Sequence, residues 1–474
     1  MAAGGGRGRP CRGRARLCPQ RRWPRAPRGR RRRRRRRRPR DGGCLEEGGG
    51  WRLGASVRRR CHGRHSPDPL GHRAISAPPR ATIVAVVWVS LAVANGVYFS
   101  FSVFLPPLVE EFRWSRALTA GALSLSTVVQ GALAPVAGLL VDRFGPRRVI
   151  LGGVCALSSA TLLASTIRGP WELYLYTGVL GAVGLVGLGP VPMSVLLSRW
   201  FLEKRGRAVG IAFSGMGAGV FVTGPLAQWL ISAFGWRAAS AALGASALVV
   251  LLPLIWLWAR ESGPPLERPP AAGADPRPAP ESTLALAMGT RAFWALWLAN
   301  LFTPLAVFPV TTHQVAFAID RGFQPMLAAT LFGVMGLMSS IGRVSFGLAA
   351  DRLGGALAAT ISFGCSAGGA LALLALEGDP RVGWLVAYAL VFGLGFGARG
   401  PIITAMASDL FGGRRFGLIY GALSIGNGVG GAIGPWFGGV VHDVTGSYRV
   451  VFLSSVVFCA CGSTCFWLAR RRVS

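Results

Sequence analysis

Residues 138–148 of the chain read GLLVDRFGPRR, and a shorter copy of the same pattern, GLAADRLG, lies at residues 347–354. The two copies begin 209 residues apart, and the Gly-Pro pair that starts at Gly224 returns 210 residues later at Gly434. Two correspondences at nearly the same spacing indicate an internal duplication. The chain is therefore expected to consist of two similar halves.

Long apolar runs surround both copies from Ala81 onward. About 20 residues at 1.5 Å per residue cross the hydrocarbon core of a bilayer, and twelve runs are long enough to do so. The chain is also 51% hydrophobic and only 15% charged, which leaves too little polar surface for a soluble protein of 474 residues. The sequence predicts an all-α membrane protein with twelve transmembrane helices in two six-helix pseudo-repeats, near 81–105, 118–140, 149–168, 172–198, 208–233, 237–259, 291–318, 325–349, 356–376, 382–409, 416–441 and 447–469.

Composition divides the chain into four segments. Residues 261–290 contain seven prolines and predict an extended linker between the two halves, which occupy 81–260 and 291–474. The fourth segment, residues 1–80, is rich in Arg, Gly and Pro and has almost nothing apolar to build a core, so we expect it to be disordered.

The net charge of +33 is concentrated in that first segment. Residues 1–80 hold 26 Arg and four acids, including the unbroken run Arg31 to Arg38. We expect one of two origins for residues 1–80. Either they are translated from an upstream arginine-rich reading frame and the natural start lies nearer residue 80, or they form a tail that contacts anionic surfaces. Because so much of the charge lies outside the predicted helices, it does not indicate a nucleic-acid partner.

Deletion of residues 1–80 should leave membrane insertion and activity intact, because this segment offers no packing surface and precedes the first apolar run. Surface labelling and an activity assay of the truncated protein check this. A truncated protein that fails to insert, or that loses activity, would show that the protein requires the tail.

The basic residues outside the tail predict the orientation of the helices. If the linker is cytoplasmic, segments on the inside hold seventeen Lys and Arg residues, and segments on the outside hold seven. The positive-inside rule then places both termini in the cytoplasm. We expect a multi-pass protein of the cell (inner) membrane whose surroundings are the lipid bilayer.

The sequence contains no motif that indicates an enzyme. None of the nine cysteines forms a CxxC pair, and no nucleophile triad, metal-ligand cluster or phosphate-binding loop occurs in the sequence. We therefore expect neither an enzyme nor a bound cofactor or metal ion.

Two arginines lie well inside predicted helices, Arg343 in the eighth and Arg399 in the tenth. On insertion scales each costs roughly 2.5–3.5 kcal/mol at a helix centre, and no acid is near either of them in sequence. We predict that Arg343 and Arg399 bind a solute anion. The alternative for both is a structural arginine that donates to backbone carbonyls, which the bend expected at Gly395 to Pro401 would leave free beside Arg399.

Four further polar side chains are candidates to line the cavity in which Arg343 and Arg399 would bind the anion. His313 in the seventh helix is the one group inside a helix that titrates near neutrality, since imidazole has an ordinary pKa of about 6.5. Tyr98, Asn300 and Asn427 are predicted to line the cavity as well. For each of the four the alternative is a packing residue with a hydrogen bond between helices.

The motif at residues 138–148 resembles the loop 2–3 signature of the major facilitator superfamily, and residues 347–354 resemble its degenerate partner. Because glycine lets a helix end turn tightly, and Asp142 lies beside arginines, the motif can form an ion-pair cluster that closes one mouth. We predict a gate formed by Asp142, Arg143, Arg147, Asp351 and Arg352.

Three segments resemble the monocarboxylate-porter branch of this superfamily and its oxalate/formate-exchanger relatives. They are Asn95 to Ser115, Ile341 to Leu353 and Phe396 to Arg414. The chain departs from those relatives because Lys204, in a loop, is its only lysine, so we do not expect transport of oxalate.

The resemblance implies a secondary active transporter of small organic anions, with monocarboxylates as the first candidates and a proton as a candidate coupling ion. It also implies that Arg343 is the anion-binding arginine. Two alternatives remain open. The glycines and proline of Gly430 to Gly439 resemble the motif of drug–proton antiporters, although cation export usually needs an embedded carboxylate, and a signalling or scaffold protein is the third class.

Overall fold

The computed structural model describes residues 80–201, 205–259, 283–411 and 416–469. The predicted tail, most of the predicted linker and the basic end of the chain lie outside the described residues. Of the linker, only a short helix, Leu284–Met288, is described, and the side chain of Thr283 caps it by accepting from Leu286 N.

The described part of the chain is helical throughout. Eleven helices are long and apolar enough to cross a membrane. We number the spans α1 to α12, with α5 and α6 lying on either side of a break at Gly235 within one of these segments: α1 Ala81–Phe112, α2 Arg116–Phe144, α3 Pro146–Ala164, α4 Pro170–Ser198, α5 and α6 Ala208–Trp258, α7 Arg291–Asp320, α8 Pro325–Leu353, α9 Gly355–Gly378, α10 Val382–Phe411, α11 Phe416–Thr445 and α12 Arg449–Ala469.

The segment that contains α5 and α6 explains why eleven helices make twelve spans. It is 51 residues long, far more than the roughly 20 residues that cross a bilayer. Within it the backbone leaves the helical region at Gly235, where φ is 80° and ψ is 161°. The chain reverses there, so α5 and α6 cross the membrane separately. The prediction of twelve helices in two six-helix pseudo-repeats is confirmed.

Both copies of the repeated motif end a helix in the same way. Gly145 after α2 has φ 81°, and Gly354 after α8 has φ 85°. Only glycine adopts this region readily, because a Cβ would clash with the backbone. The next helix starts at once on the other side of each glycine. The glycines of the motif therefore make tight turns, as their sequence pattern predicts.

Two spans are interrupted. α1 consists of two helical segments, Arg80–Phe99 and Phe101–Phe112, that meet at Ser100. α10 stops at Phe396 and restarts at Arg399, within the stretch Gly395 to Pro401 where the sequence predicts a bend.

Small residues bring the two halves into contact. A Cβ built on Gly217 of α5 would lie 2.0 Å from the carbonyl oxygen of Gly336 on α8. On the other face of the protein, a Cβ on Gly439 of α11 would lie 2.4 Å from the backbone of Ala117 on α2. Glycine at these places lets helix backbones approach closely, which is how helices pack when lipid removes the hydrophobic drive between them. The pairs α5–α8 and α2–α11 are thus the seams between the halves.

Candidate functional site

The two halves are joined by ion pairing at one end of the bundle. Arg116 at the start of α2 forms a bidentate pair with Asp320 at the end of α7, with Nη1 2.6 Å from Oδ2 and Nη2 2.8 Å from Oδ1. Asp443 of α11 accepts from the backbone N–H groups of Arg116, at 3.0 Å, and Ala117, at 2.8 Å. The first N–H groups of a helix have no partner within it, and the helix dipole favours an anion there. Asp443 therefore caps a helix of the other half.

The polar network continues inward from Arg116. Its Nη1 donates to the hydroxyl of Tyr448 at 2.7 Å, and this hydroxyl lies 3.2 Å from Nδ1 of His313. Nε2 of His313 lies 3.0 Å from the carbonyl oxygen of Pro435. We call Arg116, Asp320, Tyr448 and His313 the latch, and the end of the bundle that carries them the latch end.

The place of His313 differs from the predicted one in the substrate cavity. Its side chain is 1% exposed, and both ring nitrogens have hydrogen-bond partners, Tyr448 at Nδ1 and the carbonyl of Pro435 at Nε2. Gly438 packs so closely that a Cβ there would lie 2.7 Å from the imidazole ring. In this conformation the histidine belongs to the contact that closes the latch end, and it has no free face for a solute.

The halves diverge toward the opposite end, which carries Asp142 and Asp351 and which we call the motif end. Along the α2–α11 seam, Gly131 still approaches Gly428, since a Cβ on Gly131 would lie 3.9 Å from its Cα. Further along, a Cβ on Gly138 would meet nothing within 4 Å, and Leu139 is 70% exposed. The space between the halves therefore opens at the motif end, and we call this space the cleft.

Arg343 lies where α5, α8 and α10 meet. Its Nη1 donates to the carbonyl oxygen of Phe213, at 2.9 Å, and contacts Sδ of Met216, at 3.0 Å. A Cβ on Gly397 of α10 would lie 3.5 Å from its Nε. Within the described ranges, Nε and Nη2 have no hydrogen-bond partner, and no carboxylate pairs with the guanidinium. The side chain is partly exposed, so it offers two free donors beside the seam.

Tyr98 stands on the other half, on α1. Its hydroxyl accepts from Nε2 of Gln130 at 3.2 Å, and the same amide nitrogen lies 3.2 Å from Oγ of Ser126. The next residue, Phe99, packs edge-on against Phe396 of α10, with ring centroids 6.2 Å apart. A polar group on α1 and α2 thus adjoins an aromatic contact between the halves.

The two asparagines have different surroundings. Asn427 is exposed and shares a helical face with Tyr420 and Ser424, and the Tyr420 hydroxyl lies 2.8 Å from Oγ1 of Thr404 on α10. The Tyr420 contact directs this face of α11 toward α10, and the role of Asn427 as a cavity residue stays a prediction. Asn300 is 7% exposed, and its Nδ2 donates to the carbonyl of Leu296 in its own helix. The surroundings of Asn300 are those of a packing residue.

Arg399 is enclosed within the C-terminal half and does not share the position of Arg343. It is 0% exposed, its Nη2 donates to Oγ of Ser366, at 2.6 Å, and to the carbonyl of Gly395, at 3.0 Å, and it lies 4.5 Å over the ring of Phe363. Among the residues that the structure describes, its Nε and Nη1 have no hydrogen-bond partner. These contacts match the structural alternative, and anion binding by Arg399 stays a prediction.

The five predicted gate residues lie at helix ends on the motif end. Asp142, Arg143, Asp351 and Arg352 are exposed, and the described part of the chain gives neither aspartate an ion pair. Arg147 contacts the end of α6, where its Nη2 donates to the carbonyl of Trp256. A gate that closes this end is consistent with the open cleft, because among the described residues neither Asp142 nor Asp351 has an ion pair while the latch end is closed. Its role stays a prediction.

Asp142→Asn should leave the affinity of the cleft nearly unchanged and shift the population further toward the state open at the motif end. Among the residues that the structure describes, Asp142 has no ion pair in that state, so we expect the substitution to remove stabilisation only from the state in which the motif end is closed. Labelling of single cysteines at the two ends measures the shift. Unchanged labelling at both ends would remove Asp142 from the account of the gate.

Sequence reasoning missed most of the latch. Charged and polar residues are ordinary near helix ends, and that is where the latch residues Arg116, Asp320 and Tyr448 lie, as does Asp443 beside them. A pairing of α2 with α11 could have indicated the contact between the halves, because it places the acidic end of α11 against the N-terminus of α2.

The chain was compared with known proteins. The sequence model described as Major Facilitator Superfamily matches residues 87–398 and 380–474. Monocarboxylate transporter 11 of Mus musculus is 31% identical over 418 residues, which cover 84% of this chain and 88% of that protein. Monocarboxylate transporter 13 of Bos taurus is 29% identical over 384 residues, which cover 80% of this chain and 87% of that protein.

A solved structure has the same fold. It is the bacterial homolog of the human lysosomal transporter Spinster in an inward-facing, unoccupied conformation, with a TM-score of 0.65 and 16% identity over 84% of this chain and 100% of that one. Twelve spans in two similar halves, the paired loop motifs and these relatives agree. The chain belongs to the major facilitator superfamily, in its monocarboxylate-porter branch, and is a multi-pass membrane transporter, not an enzyme.

Proposed function

We propose that this transporter carries small organic anions, with monocarboxylates as the first substrate class, across the cell (inner) membrane by alternating access. The observation that carries the proposal is Arg343, a partly exposed guanidinium beside the seam of the two halves, with two free donors and no carboxylate partner among the described residues. A carboxylate of the solute supplies the negative charge that would pair with the Arg343 guanidinium, and its two oxygens match the planar fork of an arginine.

The position of Arg343 suits a carrier. The side chain contacts α5 of one half while belonging to α8 of the other, so relative movement of the halves changes its surroundings. A solute held there is exposed to one side and then the other as the halves rock. Asn427 and Tyr98 are the neutral polar groups that we assign to the remaining walls of the cleft. The names of the relatives support monocarboxylates as the class to test first.

Purified protein in proteoliposomes tests the proposal with a panel of labelled small mono- and dicarboxylates and one lipophilic cation. We expect saturable uptake of at least one monocarboxylate above that of empty liposomes, and none of the cation. Uptake of the cation alone would replace the proposal with a drug–proton antiporter. Movement of no solute at all, by protein that is folded and correctly inserted, would favour a signalling or scaffold role.

A further inference from the structure

The hydrogen bonds of the latch fix where His313 carries its hydrogen. Nε2 faces the carbonyl oxygen of Pro435 at 3.0 Å. A carbonyl oxygen only accepts, so the hydrogen of this bond must be on Nε2. In the neutral ring Nδ1 is then an acceptor, and the hydroxyl of Tyr448 at 3.2 Å must donate to it. A neutral His313 thus satisfies both of its nitrogens.

Tyr448 links the histidine to the ion pair between the halves. Its hydroxyl oxygen accepts from Nη1 of Arg116 at 2.7 Å, and Arg116 is held by both oxygens of Asp320. Burial raises the pKa of the Tyr448 phenol above its ordinary value, so the phenol keeps the proton that it donates. The hydrogen bonds therefore form one series in which Arg116 donates to Tyr448 and Tyr448 donates to His313.

A second proton on His313 does not fit this arrangement. Nδ1 would become a donor facing the O–H donor of Tyr448, and two donors cannot share one hydrogen bond. If the phenol turned away, its buried O–H would lose its partner, which is unfavourable. The imidazolium would also face Arg116 across a single phenol, because the Arg116 guanidinium lies 5.5 Å from the centre of the Tyr448 ring.

Among the described residues, no carboxylate lies within hydrogen-bond distance of His313 to stabilise the imidazolium while the latch is closed. Asp320 of α7 is taken up by Arg116, and Asp443 of α11 is taken up by the backbone of α2, with His442 3.9 Å away. Glu377 of α9 pairs with Arg321 and accepts from Ser447. Among the described groups around the ring, each carboxylate has another partner, and none is within hydrogen-bond distance of His313.

We propose that His313 is a proton-binding site whose protonation at Nδ1 breaks the bond from Tyr448, loosens the latch and favours the state that is open at the latch end. This rests on the proposed function, because it needs a carrier that alternates between two open states, and it assigns the proton of that carrier to a residue. Acid at the latch end then opens the transporter toward the acid side.

The test measures how far apart the halves are at the latch end at different pH values. Spin labels carried by non-canonical amino acids replace Thr166, in the loop between α3 and α4, and Arg381, in the loop between α9 and α10, so that native cysteines stay in place. For the full chain in nanodiscs we expect the ratio of long to short distances to rise about tenfold as the pH falls from about 8 to about 5.

His313→Gln is the decisive variant. The amide can donate to Pro435 and accept from Tyr448, as the neutral imidazole does, but it does not titrate. We expect short distances at every pH. His442→Gln is the matched control, because His442 lies beside Asp443 in the same part of the protein but outside the chain of bonds, and it should keep the response of the wild type.

A response that persists in His313→Gln, or a wild type without any response, overturns the proposal. If His313→Gln does not fold, Tyr448→Phe carries the test. It removes the donor, so the long distances should be common at about pH 8 already, and little further change should follow on acidification. A pH response retained at full size in Tyr448→Phe counts against the proposal. Because this assay reads distances and not uptake, failure of carboxylate transport would leave its outcome intact.

Discussion

Carboxylate uptake should fall by about two orders of magnitude or more when Arg343 is replaced by Gln. A bound carboxylate would cover Arg343, and removing one partner of a buried, hydrogen-bonded charge pair costs roughly 2–5 kcal/mol, where each 1.4 kcal/mol is tenfold in affinity. Initial rates in proteoliposomes, at equal amounts of folded protein, measure the loss.

Arg343→Lys separates charge from geometry. Lysine keeps the positive charge but loses the planar fork that binds both oxygens of a carboxylate. The loss of one charge-assisted hydrogen bond is worth about 1.5–3 kcal/mol, or roughly ten- to a hundredfold. We therefore expect uptake between those of the wild type and of Arg343→Gln. A lysine variant as fast as the wild type would show that only the charge matters.

Arg399→Gln is the matched control, since Arg399 is the other arginine inside a helix. Its contacts are to Ser366, Gly395 and Phe363 within one half. This substitution should lower the melting temperature or the yield of folded protein and leave the affinity of the remaining protein unchanged. A loss of affinity without a loss of stability would restore Arg399 to the binding site.

The second large effect is expected at the latch. Arg116→Gln removes the bidentate pair with Asp320 and the bond to Tyr448, so the state closed at the latch end loses contacts between the halves. Since Asp320 is partly exposed, we expect a loss of about 1–2 kcal/mol, which changes the ratio of the two states roughly five- to thirtyfold. Distances between labels at the latch end report the ratio.

Arg237→Gln is the control for that experiment. Arg237 pairs with Glu111 at the same end of the bundle, but both belong to the N-terminal half. Its removal should leave the ratio of the two states unchanged. Equal shifts in Arg116→Gln and Arg237→Gln would mean that the ratio responds to any lost charge at this end, and the latch would have no special role.

Much of the fold could be predicted because a bilayer imposes helix length. Apolar runs of about 20 residues gave the twelve spans, and the repeated motif gave the two halves. The ends differ where polar residues continue a helix, as at Arg116 and Asp320. The break between α5 and α6 at Gly235 falls in the gap predicted between residues 208–233 and 237–259, although no long polar segment separates the two spans.

The candidate site was predictable only in part. Arg343 and Arg399 have the same signal in the sequence, a charge inside an apolar helix. Only their tertiary neighbours distinguish them, since one lies beside the seam and the other is enclosed in one half. His313 stood out because it titrates, but its connection to Arg116 through Tyr448 joins residues far apart in sequence and depends on how α2, α7 and α12 pack.

The central claim is that Arg343 holds the negative charge of the solute. The most direct test is equilibrium binding, measured by titration calorimetry, of the best carboxylate from the uptake panel to purified wild-type protein, Arg343→Gln and Arg399→Gln. The account predicts that binding to Arg343→Gln is weaker by about two orders of magnitude or is lost, while folded Arg399→Gln binds as the wild type does. Folded Arg343→Gln protein that binds the carboxylate with unchanged affinity would contradict it.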